Sequence, residues 1–191
     1  RDVLGSRGLG DVYKRQKRKL EQGCRAYWVC PLVEESEKID LAAAQERFET
    51  LHKIFGDIVG LVHGKMKEKE KDEVMERFKN GQLRLLVATT VIEVGVNVPE
   101  ATVMIIEHAE RFGLAQLHQL RGRIKRGFEA STCILMYSHP LSETSRQRLE
   151  TMRQTEDGFL IAEKDLELRG GGEILGTRQS GFDEFRLADM S

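Results

Sequence analysis

No stretch of this sequence stays apolar over the roughly 18 residues a membrane-spanning helix needs. The first apolar run is short and broken by charge, so no signal peptide is expected. Cysteines number only three, Cys24, Cys30 and Cys133. The odd count argues against a disulfide framework, and two of them sit inside apolar runs, so they read as small buried hydrophobes of a reduced, cytoplasmic protein. Their spacing with the five histidines gives no metal-ligand pattern. An excess of positive charge is also missing: 30 Lys and Arg face 31 Asp and Glu, for a net charge of -1. A whole-molecule positive field is therefore excluded, and any nucleic-acid contact must come from a local patch. Two further absences bear on nucleotide chemistry. No GxxxxGK[ST] segment is present; Gly8 to Lys14 comes nearest but lacks the closing glycine-lysine-hydroxyl and follows no strand. No acidic pair directly follows a strand to hold Mg²⁺.

What is there is a run of short apolar segments alternating with amphipathic ones over 191 residues. Residues 1–10, with three glycines and a serine, read as a frayed or non-native start. Residues 11–22 have a helical look and stop at Gly23. Ala26–Cys30, Ile58–Val62, Leu83–Ala88, Val103–Ile106 and Thr132–Tyr137 read as strands. Leu41, Ala44, Phe48, Leu51 and Phe55 recur at three and four, one helix face closed by Gly56. A charged helix with Val74 and Phe78 on its apolar side ends at Asn80-Gly81, and another helix spans Leu114 to Leu120. The alternation predicts a mostly parallel sheet covered on both faces, with right-handed crossovers. After His139-Pro140 the pattern changes to a helical hairpin, Ser142–Gln154 and Phe159 to about Leu168, broken at Asp157-Gly158. Leu149, Met152, Phe159 and Leu166 are its expected anchors. The glycine-rich tail beyond reads as a linker or as a loop packed back on the domain.

Candidate functional residues fall beyond the carboxyl ends of strands, where open parallel sheets bind ligands. Thr89 and Thr90 follow the third strand; their hydroxyls suit a nucleic-acid phosphate or a helix N-cap. Gly95 would admit a ligand close to the backbone. His63-Gly64-Lys65 follows the second strand on the same edge. Arg123 and Arg126 lie three apart behind Gln119 and Gly122, so both guanidiniums can face one polyphosphate. Arginines that could reach a γ-phosphate are present without the loop that should cradle the nucleotide. The residues thus describe half a site.

These segments carry a resemblance. Ala88 to Pro99 resembles the fifth motif of superfamily-two helicases, and Gln119, Gly122, Arg123 and Arg126 resemble the sixth. The segments Tyr27–Leu32, Gly60–Gly64, Ala109–Gly113 and Leu117–Arg121 are similar to the RecG family of bacterial branch-migrating DNA helicases. So are Asp157-Gly158-Phe159, Asp165–Gly170 and Gly176–Gly181. The tail resembles the transcription-repair coupling translocase more loosely. The resemblance implies a RecA-like second motor domain over residues 11–138, then a helical hairpin and coupling loop over 139–191. It implies that the intact protein is an ATP-dependent DNA helicase that uses ATP and Mg²⁺, translocates on duplex DNA and remodels forked or branched DNA in repair and recombination. The first RecA-like domain and the wedge domain would lie elsewhere in the same protein, and this fragment alone would bind no cofactor and be inactive.

The resemblance also implies roles. Arg126 is the arginine finger, Arg123 its partner on the phosphates, and Gln119 orients water or the motif itself. Gly95 and Asn97 lie beside the ribose, with Gly122 in the same motif set. His63, Gly64, Thr89 and Thr90 face the DNA backbone, and Arg178 and Gln179 belong to the coupling loop. Lys125, Asn97 and Gly171 stand where the family usually has glycine, aspartate and proline. Two other readings remain open from the residues: a nucleic-acid-binding module of the same fold without an ATP role, and the transcription-repair coupling translocase.

Overall fold

The computed structural model describes residues 3–5, 9–32, 37–89, 98, 100–124 and 131–176, without the side chains of residues 3–5, 9 and 171–176. Its strands are β1 (Val3–Gly5), β2 (Arg25–Cys30), β3 (Val59–Val62), β4 (Leu85–Thr89), β5 (Ala101–Ile106) and β6 (Thr132–Tyr137). The helices are α1 (Leu9–Glu21), α2 (Glu37–Phe55), α3 (Glu68–Lys79), α4 (Leu114–Arg121), α5 (Glu143–Gln154) and α6 (Gly158–Gly176). All strand pairs are parallel, in the order β1-β6-β5-β2-β4-β3. The expected α/β architecture, a RecA-like parallel sheet flanked by helices, is what the chain adopts.

Alternation along each strand builds two cores. On β2, Tyr27 and Val29 face one side and Ala26, Trp28 and Cys30 the other, all buried. The first side is covered by α3, α4 and the hairpin through Phe78, Leu117, Leu149 and Ile161. The second is covered by α1 and α2 through Leu20, Ala44 and Leu51. Burial on both faces explains why the strand sequences are near-continuously apolar. Three glycines at predicted stops have positive φ, Gly23 at 90°, Gly56 at 79° and Gly81 at 88°, a region costly for other residues.

Val3–Gly5 form β1, with Val3 paired to Leu135 on β6, and α1 begins at Leu9. Two expectations change. Phe159 and Leu166, read as hairpin anchors, are 72% and 74% exposed. Ile161 takes their place at 1% exposed, because it lies half a helical turn away from both. Finally, α6 does not stop near Leu168 but continues through Gly170, Gly171 and Gly172 to Gly176. Glycine costs a helix about 1 kcal/mol per residue yet raises no steric bar, unlike proline.

Candidate functional site

Because every strand is parallel, the carboxyl ends of β2 to β6 share one edge. Along it lie Pro31, His63-Gly64, Thr89, Glu107-His108 and Ser138. β4 and β5 pair with β2 from opposite sides. Thr90, Gly95 and Asn97, between β4 and β5 in the sequence, lie outside the described residues, as do Arg126, Arg178 and Gln179.

The remaining candidates divide in two. His63, half-buried, and Gly64, exposed in a turn, follow the edge strand β3. The Lys65 N–H donates to His63 Nδ1 at 3.3 Å, and nothing lies within 4 Å of the place a Gly64 Cβ would occupy, so the backbone there is open to approach. Thr89, at the end of β4, is 1% exposed, and its Oγ1 is buried without a hydrogen-bond partner among the described residues. The second group is on α4. Gln119 and Arg123 are exposed at its carboxyl end, with Gly122 between them.

The sequence dictates how α4 is aimed. The Gly113 N–H donates to Gln116 Oε1 at 3.0 Å, satisfying a helix-start donor. Leu114, Leu117 and Leu120 bury one face. The last turn tightens, with the Arg123 N–H donating to Leu120 O at 3.0 Å. Arg123 lies close to Tyr27 on β2; burial raises the Tyr27 pKa to about 12, against the opposing influence of the Arg123 charge.

Three arrangements were not legible in the sequence. Arg121 turns away from Arg123 toward the hairpin: its Nη1 donates to Met152 O at 2.6 Å. Met152 belongs to the last turn of α5, whose carbonyls lack intrahelical donors and welcome a cation. Arg148 on α5 donates in return to Phe112 O at 2.9 Å, just before α4. The hairpin's turn closes against the same helix, since a Cβ on Gly158 would sit 3.1 Å from His118 Nε2. Thus α4 shows Gln119 and Arg123 to solvent and is bolted elsewhere to α5 and α6.

On the other face of the sheet, Glu107 ends β5 in a pair with α2. Arg47 donates to it through Nη2 at 2.6 Å and Nε at 3.0 Å, and Trp28 Nε1 donates at 2.8 Å. Burial works against the Glu107 carboxylate, but the hydrogen bonds from Arg47 and Trp28 and the Arg47 charge outweigh it and hold its pKa below the ordinary value. Burial, reinforced by the Glu107 charge, pushes the Cys30 thiol well up, so it stays protonated. The neighbouring His108 has a φ of 50°, the one positive value outside glycine among the described residues. It turns the chain from β5 toward α4, with its Nδ1 3.1 Å from Glu110 Oε1.

Among the described residues no group of His, Cys, Asp and Glu could hold a metal ion, and no helix is long and apolar enough to cross a membrane.

Comparison with known proteins places this geometry. Residues 12–127 match the helicase conserved C-terminal domain, and residues 155–191 match the C-terminal part of domain 3 of the ATP-dependent DNA helicase RecG. The ATP-dependent DNA helicase RecG of Acidithiobacillus ferridurans is 59% identical over 181 residues, covering 94% of this chain and 26% of that protein. Its namesake from Escherichia coli (strain K12) is 58% identical over 172 residues, covering 90% of this chain and 25% of that protein. The chain therefore spans about a quarter of the length of these curated relatives. A solved structure of RecG bound to a three-way DNA junction is similar at a TM-score of 0.75 and 42% identity, covering 90% of this chain and 22% of that one. Dbp5 of S. cerevisiae, bound to RNA and ADP BeF3, shares the fold at a TM-score of 0.55 and 16% identity, covering 75% of this chain and 35% of that one. The chain belongs to the superfamily-two helicases, as a C-terminal helicase region homologous to bacterial RecG.

Proposed function

We propose that this chain is the second motor domain and transmission hairpin of an ATP-dependent DNA helicase that moves on duplex DNA to remodel forks and branch-migrate junctions. ATP, when bound, supplies free energy through transfer of its γ-phosphoryl group. The exposed end of α4 fits the nucleotide's phosphates: Arg123 offers a fork of N–H donors at the surface, and Gln119 can orient a water or the loop that follows. Arg126 completes the pair as the arginine finger, and Gly95 and Asn97 approach the ribose. The residues that cradle the nucleotide and hold Mg²⁺ belong to the first motor domain of the same polypeptide, so this fragment alone neither retains ATP nor turns it over. His63, Gly64, Thr89 and Thr90 face the DNA backbone, and Arg178 and Gln179 act in the coupling loop.

The observation that carries this reading is the two-sided use of α4. An eight-residue helix moves as a rigid body. A displacement imposed at Arg123 reaches α5 through the Arg121–Met152 and Arg148–Phe112 hydrogen bonds. Charge-assisted bonds of this kind hold orientation better than apolar packing, because their geometry is directional. In the intact protein, Arg121→Ala and Arg148→Ala should lower fork unwinding far more than DNA-stimulated ATP hydrolysis. Parallel loss of both activities with the melting temperature would reduce the hairpin to a structural cap.

A further inference from the structure

Tyr27 carries a hydroxyl into the core. It stands on β2, inside the sheet between β4 and β5, and is 2% exposed. The Phe78 ring of α3 lies 5.0 Å from it at an interplanar angle of 59° and fixes its plane. Phenylalanine would serve that packing equally well, whereas a hydroxyl withdrawn from water needs a polar counterpart. Leu120 and Ile124, three places before Arg123 and one after it, are buried in the same core as Tyr27 and Phe78. Arg123 itself is exposed, so its side chain leaves the end of α4 at the rim of that core. Across this rim its positive charge acts on the phenol and opposes the effect of burial, which still brings the Tyr27 pKa up to about 12. The ring is therefore neutral at any working pH, a dipole beside a cation.

We propose that Tyr27 is a positioning residue for Arg123: its phenol oxygen, held in place by the packing of the ring against Phe78, faces the inner edge of the guanidinium and keeps the outer N–H groups aimed at the nucleotide's phosphates. The chemistry of the pair suits this division. A guanidinium has five N–H donors in a rigid fork, so engaging one edge leaves the others for an anion. A carboxylate in the same place would neutralise the arginine and compete with the phosphate; a neutral phenol orients the cation and leaves its charge intact. An arginine without such support samples many rotamers, and the cost of ordering it would fall on the reacting state. The support is also rigid, because β2 is flanked by a strand on each side and is buried at every position. The inference rests on the reading of Arg123 as a ligand of the nucleotide's phosphates, and it adds the group that sets its direction.

The test is a double-mutant cycle in the intact protein, with wild type, Tyr27→Phe, Arg123→Ala and the double variant. Each is assayed for fork-stimulated ATP hydrolysis and for melting temperature. Tyr27→Phe removes one oxygen and keeps the ring, so the core and the melting temperature should hold. Its kcat should fall about tenfold, the size expected for losing one polar contact to a charged group, with little change in the KM for ATP. In the Arg123→Ala background the same substitution should cost no further turnover. Full turnover in Tyr27→Phe would overturn the inference. So would an equal loss in both backgrounds, which would mean that the hydroxyl does not act through Arg123, and so would a loss that follows a lowered melting temperature. Wild-type turnover and its loss in Arg123→Ala read the proposed function. The effect of Tyr27→Phe, compared between the two backgrounds, reads the inference, so the two fail separately.

Discussion

Replacing Glu107 by glutamine tests the electrostatic tie between the sheet and α2. The wild-type carboxylate accepts two N–H groups from Arg47, at 2.6 and 3.0 Å, and one from Trp28 at 2.8 Å. Glutamine keeps the shape, but it removes the negative charge and turns an N–H₂ toward donors that then have no acceptor. Breaking one side of a buried pair costs about 3–5 kcal/mol. Here the side chains are 20% and 15% exposed, so the lower end applies, about 3 kcal/mol near neutral pH. For a domain of this size that lowers the melting temperature by roughly 6–12 °C. The pH dependence gives a second check. The folded-state pKa of Glu107 is depressed, so its stabilisation is present above the unfolded value, about 4.3, and is lost as pH falls through the folded value. Urea titrations of wild type and Glu107→Gln from pH 7 down to pH 3 should show a gap that is full at neutrality and closes only below the ordinary carboxylate range. Equal stability at pH 7, or a gap that widens with acid, would refute the argument.

Other outcomes follow from single contacts. Phe78→Ala removes a ring that is 0% exposed and 5.0 Å from Tyr27, and should cost about 3–5 kcal/mol in chemical denaturation. Gly81→Ala should lose roughly 1–2 kcal/mol, because φ there is 88° and a Cβ would also press on Arg25 Nη2 at 2.9 Å. Gly64→Ala, with open space and no such φ, should melt within about 0.5 kcal/mol of wild type. Arg126→Ala in the intact protein should suppress ATP turnover by on the order of 10³ or more while sparing fork affinity; a fall of less than about tenfold would move the finger role to Arg123.

The strands β2, β4 and β5 were legible because each is buried on both faces and so reads as a short, nearly unbroken apolar run. Helix stops were legible where glycine takes a positive φ, at Gly23, Gly56 and Gly81. On α4, Gln119 and Arg123 were legible as surface groups, since Leu114, Leu117 and Leu120 fix the opposite face. The remainder depends on distant partners. Nothing local to Arg121 says that it satisfies a carbonyl of α5, and nothing near Arg47 points to Glu107. On α6, apolar residues occur on both faces, so periodicity alone chose Phe159 and Leu166 where the structure buries Ile161. β1 is too short to show a period at all.

The strand order also sets a timetable for synthesis. β2, with Tyr27 and Trp28, leaves the ribosome before both of its neighbours in the sheet, β4 and β5. β3 emerges before β4 but must stand aside, leaving a gap one strand wide. At roughly 5–20 residues per second, the interval between Cys30 and Leu85 lasts on the order of several seconds. Through that interval β2, buried at every position in the finished sheet, has no partner, and its premature pairing with β3 is the trap that the nascent chain must avoid.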